Sequence, residues 1–418
     1  MKKVVSFLLS CILIISVFSG CNKSAEEAGS KTASGESATV AMTTDSEATS
    51  DENFTATTTS NCTWKLDSTV LTISGNGEMG SYDNIDNEPK WGKDITEVII
   101  QSGVTSIGSY AFSGCSELKN VTISDSVINI GEGAFSGCSS LASITLPNGV
   151  LSILDQAFFG CGNLTSVTIP ENTLYIGEGT FSGCGNLTNI TIPNGVTTIK
   201  KDAFSGCSSL TSITIPSSVR NLEQYSFSGC SSLSSIKVDE KNNYYDSREN
   251  CNAIIEKSTN TLLAGCRNTI IPDSVTHIDG YAFSERNGLT SITIPDSVTS
   301  IGSSAFSGCS NLTSVSIPDS VTIIESNTFS DCSSLTNITI PDSVTKIEGY
   351  AFFGCNSMTN VTIPNSVTTI ENAAFGYYSN SSEHYDWEKI KDLTIYGSKD
   401  SEAQRYANEN DFAFVATK

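Results

Sequence analysis

Residues 295–317 read PDSVTSIGSSAFSGCSNLTSVSI. The same unit returns along most of the chain, and its reading decides the fold. Its phenylalanine recurs at Phe112, Phe135, Phe158, Phe181, Phe204 and Phe227, then at Phe283, Phe306, Phe329, Phe352 and Phe375. Successive copies lie 23 residues apart, except for the 56 that separate Phe227 from Phe283. A fixed period in the twenties marks a solenoid, in which one unit is one coil that cannot bury its apolar side alone.

Within this coil the apolar residues are Val298, Ile301, Ala305, Phe306, Cys309, Leu312, Val315 and Ile317. They follow no sustained helical period. Val315-Ser316-Ile317 alternates as a short β-branched strand that Pro318 ends. Val298–Gly302 reads as a second short extended segment, and AFSGC as a tight turn or a single turn of 3₁₀ helix. Stacked coils turn such strands into a parallel sheet with neighbours about 4.8 Å apart. The strand-closing residues run from Ile100 and Ile123 through to Ile363 and Ile395. The sheet is then roughly 60 Å long at that spacing.

The pattern L-x-x-I-x-I-P-x-x-V-x-x-I-x-x-x-A-F-x-x-C resembles the bacterial BspA-like (treponemal-type) leucine-rich repeat, over about residues 95–395. The resemblance implies a mainly β, right-handed, curved solenoid with its parallel sheet on the concave side and a cap at each end. It also implies exposure on the cell surface and adhesion to host or microbial partners. It brings no catalytic residues.

The flanks complete this reading. Residues 61–94 are expected to be an N-terminal cap, with Trp64, Leu66, Leu71, Ile73 and Trp91 covering the first coil. Residues 396–418 are expected to be a C-terminal cap, with Asp400 or Ser401 capping a helix near 402–409 and a closing strand at Phe412–Val415. Residues 1–20 carry two lysines and an apolar run that ends in Gly20, before Cys21. This reads as an export signal resembling that of lipoproteins, with Cys21 as the lipid attachment point; simple secretion is the alternative. Residues 21–60 add a Ser/Thr/Ala/Glu tract too polar to fold and suited to a tether. The net charge of −22 disfavours nucleic acid as a partner.

Two insertions interrupt the period, at about 239–268 and 376–389. The first contains two apolar runs around Lys257–Asn260 and reads as a hairpin. Insertions in repeat proteins map to loops, often on a binding face. Their aromatic residues, Tyr244, Tyr245, Tyr377, Tyr378, Tyr385 and Trp387, are therefore the first candidates for a ligand. Packing that seals an irregular coil is the competing reading. A weaker candidate is the outward column of the strands: Thr122, Thr145, Thr168, Thr191, Thr214, Thr293, Ser316, Thr339 and Thr362. It is a row of hydroxyls or simply a solvated β face. Lys237 and Ile270 stand in the same column. Ice binding, also open to threonine arrays, fits a curved face and a lysine poorly.

Nine cysteines recur with the period: 115, 138, 161, 184, 207, 230, 309, 332 and 355. One thiol per coil does not give the close ligand spacing of a zinc site, and parallel Cβ vectors suit a disulfide poorly. A buried core ladder is expected. Cys251 and Cys266 flank the hairpin and are a possible disulfide. The acids that follow the strands, Asp125 after Ser124 and Asp273, Asp296, Asp319 and Asp342 after proline, are read as turn residues rather than calcium ligands. GNGEMG at 75–80 matches a dinucleotide motif in letters only, since no helix pattern follows. The two histidines, His277 and His384, belong to no catalytic pattern. No enzyme activity, cofactor or metal is expected. The reading is a membrane-anchored, extracytoplasmic adhesion or recognition module for a protein or glycan; the alternative is a structural spacer of the envelope.

Overall fold

The computed structural model describes residues 54–57, 61–82, 89–379 and 387–417. The signal, Cys21, most of the tether, and His384 and Tyr385 lie outside them. The protein is a parallel β-solenoid of about 15 turns of roughly 23 residues. Each coil has three sides.

The first side carries strands such as Glu97–Ile100, Asn120–Ile123, Ser143–Thr145, Ser166–Thr168, Ser212–Ile215 and Ser235–Val238. They pair in parallel exactly one period apart, as Ile144 with Val167. The second side carries two-residue strands such as Asn129–Ile130, Ser152–Ile153 and Tyr175–Ile176, also in one-period register. The third side is the AFSGC segment. It forms tight turns, with the Cys115 amide donating to the Phe112 carbonyl, and no 3₁₀ helix is built there. Each turn also donates to the next coil, Phe112 N–H to Ala134 O and Gly114 N–H to Ser136 O. The polypeptide therefore satisfies its amides between coils.

The repeated apolar positions converge inside. Phe135, Phe158, Phe181 and Phe204 stack with centroids 5.4–5.6 Å apart and nearly parallel planes. The turn glycines allow this. Gly308 has φ +71°, and a Cβ there would lie 2.9 Å from Cγ of Glu285 in the preceding coil. Only a residue without a side chain fits beneath Glu285.

An antiparallel hairpin, Cys62–Asp67 with Val70–Gly75, precedes the coils, and Val70–Gly75 runs parallel to Glu97–Ile100. Trp64 and Tyr82 meet Trp91 edge to face, and Trp91 lies tilted over Phe112, the first ring of the stack. At the other end, helix Glu402–Glu409 lays Ala403, Tyr406 and Ala407 on the last coil, and strand Ala413–Ala416 closes the sheet. Ser401 is the helix N-cap by position, but its hydroxyl donates to Ser398 O instead of accepting a helix amide. The last register also differs from the sequence expectation: Ile395 pairs with Val361, two residues short of Ile363. The second insertion displaced the alignment there.

Candidate functional site

Hydroxyl groups line all three sides, and several rows of them are already engaged. On the second side, Thr197, Thr299, Thr345 and Thr368 donate to the carbonyl one period back. On the turn side Ser208, Ser231 and Ser333 do the same. At the entry to the first-side strands, Thr165, Ser234 and Thr313 repeat the arrangement. These side chains staple coil to coil.

The outward column differs. Thr122, Thr145, Thr168, Thr191, Thr214, Thr293, Ser316, Thr339 and Thr362 are all exposed. Among the described residues their hydroxyls have no hydrogen-bond partner. Strand alternation explains this: the side chain points away from the sheet, beyond reach of the neighbouring carbonyls. Each hydroxyl can donate one hydrogen bond and accept two. Lys237 pairs with Thr214 in this column and has no carboxylate partner among the described residues. Ile270 is 74% exposed. Tyr396, the partner of Thr362, and then Val415 continue the row on the last two strands. Two shallow clefts open on the same face. One, of about 770 Å³, includes Thr339 and Thr362; the other, of about 670 Å³, includes Ile270 and Thr293.

The aromatic insertions are mostly consumed by packing. Tyr245 is 4% exposed and its hydroxyl accepts the Leu222 amide, so it presents nothing to a ligand. This overturns its place among the candidates: Asn242 Oδ1 takes the Tyr244 and Tyr245 amides and turns the chain inward. Its neighbour Tyr244 is 50% exposed. Tyr377 donates to Asn410 and packs edge-on against Phe412; Tyr378 donates to Glu388. Trp387 is 39% exposed and meets Tyr350, Phe353 and Tyr377 edge to face. Tyr350 and Phe353 were not legible as members of this cluster, because both belong to a regular coil. The Phe of AFFGC, where most coils have Ser, was no pointer, since Phe159 holds the same place in a coil far from the insertion. Tyr244 is remote in sequence from this cluster, and no contact joins them.

These comparisons with known proteins follow from the same repeat. The family model described as BspA type leucine rich repeat region (6 copies) matches residues 85–181, 151–261 and 255–382. The chain belongs to the BspA-type leucine-rich-repeat family. Among solved structures, a leucine rich cell surface protein from Faecalibacterium prausnitzii is 32% identical with TM-score 0.63, over 80% of this chain and 97% of that one. A leucine-rich repeat protein from Bacteroides ovatus is 28% identical with TM-score 0.52, over 86% and 99%. The pneumococcal vaccine antigen PcpA shares the fold at 17% identity and TM-score 0.58, over 88% and 99%. No curated protein matches the chain.

In this BspA-type solenoid the cysteine ladder lies in the core. Cys138, Cys161, Cys184, Cys207 and Cys230 each donate to the Phe carbonyl 26 residues back, at 3.1–3.2 Å. Burial pushes the Cys115 and Cys230 thiols up to about 11 and Cys161 up to about 12. Cys251 and Cys266, a possible bridge from the sequence, are free thiols. They point into different hydrophobic clusters, one on each side of the hairpin. The exposed acids after proline make no turn bond among the described residues. The serine that follows works instead, as Ser297 donates to Val275 O and Ser343 to Val321 O, both at 2.7 Å. Other carboxylates serve as staples: Asp155 accepts the Glu178 amide, and Glu371 accepts that of Gly349. His277 is exposed and shares a hydrogen bond with Thr276. Among the described residues no three His, Cys, Asp or Glu gather as metal ligands. No helix among them is long and apolar enough to cross a membrane.

Proposed function

We propose that the protein is a recognition scaffold of the cell surface, held there by lipid on Cys21, that engages an extracellular protein or glycan through its outward hydroxyl column. The observation that carries this reading is the free column itself. Every other threonine row described above is occupied in stapling coils, whereas this one has its full hydrogen-bonding capacity turned to solvent. The Faecalibacterium relative, described as a cell surface protein, supports the location. A structural spacer is the second reading. It draws support from the same face, whose column from Thr122 to Thr362 carries no Trp, Tyr or Arg, whereas tight interfaces centre on those residues.

The test is a glycan and matrix-protein array probed with the protein and with Thr145→Val/Thr168→Val/Thr191→Val, which removes hydroxyls but little volume. Binding that falls at least tenfold in the variant is expected. Binding indifferent to the change would move the ligand off this face, and no binding at all would leave the spacer. Replacing Cys21 by Ala is expected to release the protein from membranes on fractionation.

A further inference from the structure

The hairpin insertion stands between two cores. Ile254, Ala264 and Cys266 belong to the hydrophobic cluster of the preceding coils. Cys251, Ala253, Ile255 and Leu262 belong to the cluster of the following ones. The phenylalanine stack stops at Phe227 and restarts with Phe283 against Phe306.

The hairpin also repeats the N-terminal cap. Residues 62–75 read CTWKLDSTVLTISG and residues 251–265 read CNAIIEKSTNTLLAG. Both form antiparallel pairs that begin near a cysteine. Both turn through a residue with positive φ, Ser68 and Asn260. Both end on a glycine without room for a Cβ, Gly75 against the Asn61 carbonyl and Gly265 against the Phe283 ring. In both, the second strand then runs parallel to a strand of the coils that follow, Val70–Gly75 to Glu97–Ile100 and Thr261–Gly265 to His277–Ile278.

From this we infer that the insertion is an internal cap, which closes one solenoid and opens another, so that the two halves of the chain fold as separate cooperative units around separate cores. Polar bonds cross the seam beside the Tyr225–Tyr281 ring pair, whose centroids are 4.4 Å apart. Arg286 is 1% exposed and sits where nine other coils have Cys. Its Nε donates to Gly265 O at 2.9 Å, Nη1 to Ser284 O at 3.0 Å and Nη2 to Phe227 O at 2.8 Å. A thiol makes this bond within a regular stack, as Cys309 does to Phe283 O. Across the cap the Phe carbonyl is 59 residues back, and the long guanidinium arm reaches it.

Native-state hydrogen exchange by mass spectrometry on the full chain tests this. Phe158→Leu perturbs the first core and Phe329→Leu the second; Ile153→Val and Ile324→Val serve if either fails to fold. Each variant is expected to speed exchange at least tenfold through the coils of its own half, with a step at 251–266 beyond which rates are unchanged. Arg286→Met is expected to speed exchange at the seam while both halves stay protected. Acceleration that crosses the hairpin undiminished would overturn the inference, as would acceleration confined to a coil or two with no step there. Loss of protection in both halves on Arg286→Met would overturn it as well.

Discussion

Phe181→Ala removes one ring from the middle of the stack. Phe181 is fully buried, with Phe158 at 5.5 Å on one side and Phe204 at 5.6 Å on the other. A phenylalanine buries roughly 150–250 Å². At about 25 cal/mol per Å² the whole side chain is worth roughly 4–6 kcal/mol, an upper figure because the unfolded chain already hides part of its surface. The alanine methyl keeps a share of this, while the hole left between the rings adds a cavity cost. Cuts of this kind in other cores cost about 3–5 kcal/mol. Coils on both sides lean on the same ring, so little collapse is open to the site. Urea denaturation followed by far-ultraviolet circular dichroism is the assay. A loss of about 3–5 kcal/mol from the transition that covers this half is expected. A loss below about 1 kcal/mol would refute the reasoning, since it would mean that the stack is loose enough to close over the gap.

The two kinds of threonine should separate cleanly. Thr168→Val, on the free column, is expected to change stability by less than about 0.5 kcal/mol, whereas Thr165→Val breaks a 3.0 Å bond to Ala142 O and is expected to cost about 1 kcal/mol in the same denaturation assay. The described thiols are all buried, and those with raised values stay protonated at pH 8. Ellman's reagent is therefore expected to leave them unmodified in the native protein and to label all twelve in guanidinium. Asp202 is pushed up to about 6 by burial, with Lys201 opposing. The folded state then holds its proton longer than the unfolded one, so this residue's contribution falls as pH rises from about 4 to 6 and is flat above. Asp202→Asn is expected to raise the Tm above pH 6 relative to the parent and to remove that part of the decline.

The coil itself was legible because its interior repeats: Val, Ile, Ala, Phe, Cys and Leu return at fixed positions, and each must face the same core. Exposure of the Thr122 column followed from alternation alone. Which hydroxyls are free did not, since that depends on carbonyls one coil away. The insertions were harder. Tyr244 and Tyr245 are adjacent letters without a period, and one is open while the other seals Leu222. The Cys251–Cys266 pair flanks the hairpin in sequence, but the two side chains join different cores. Arg286 reads as a lapse in the cysteine row until the missing coil beside it is seen. Ile395 was misaligned by two residues because the second insertion hides where the period resumes.

The free hydroxyls do not form one uninterrupted row. Five lie before the internal cap, Thr122 to Thr214, and four after it, Thr293 to Ser316, Thr339 and Thr362. Lys237 and Ile270 stand between them. A polymer that displays the same group many times would meet two docking tracks on a single chain. Once one track is filled, the other sees the rest of the polymer at an effective concentration in the millimolar range, as for short flexible linkers. Two weak grips would then hold as one firm one, and a monomeric fragment of the same polymer would let go.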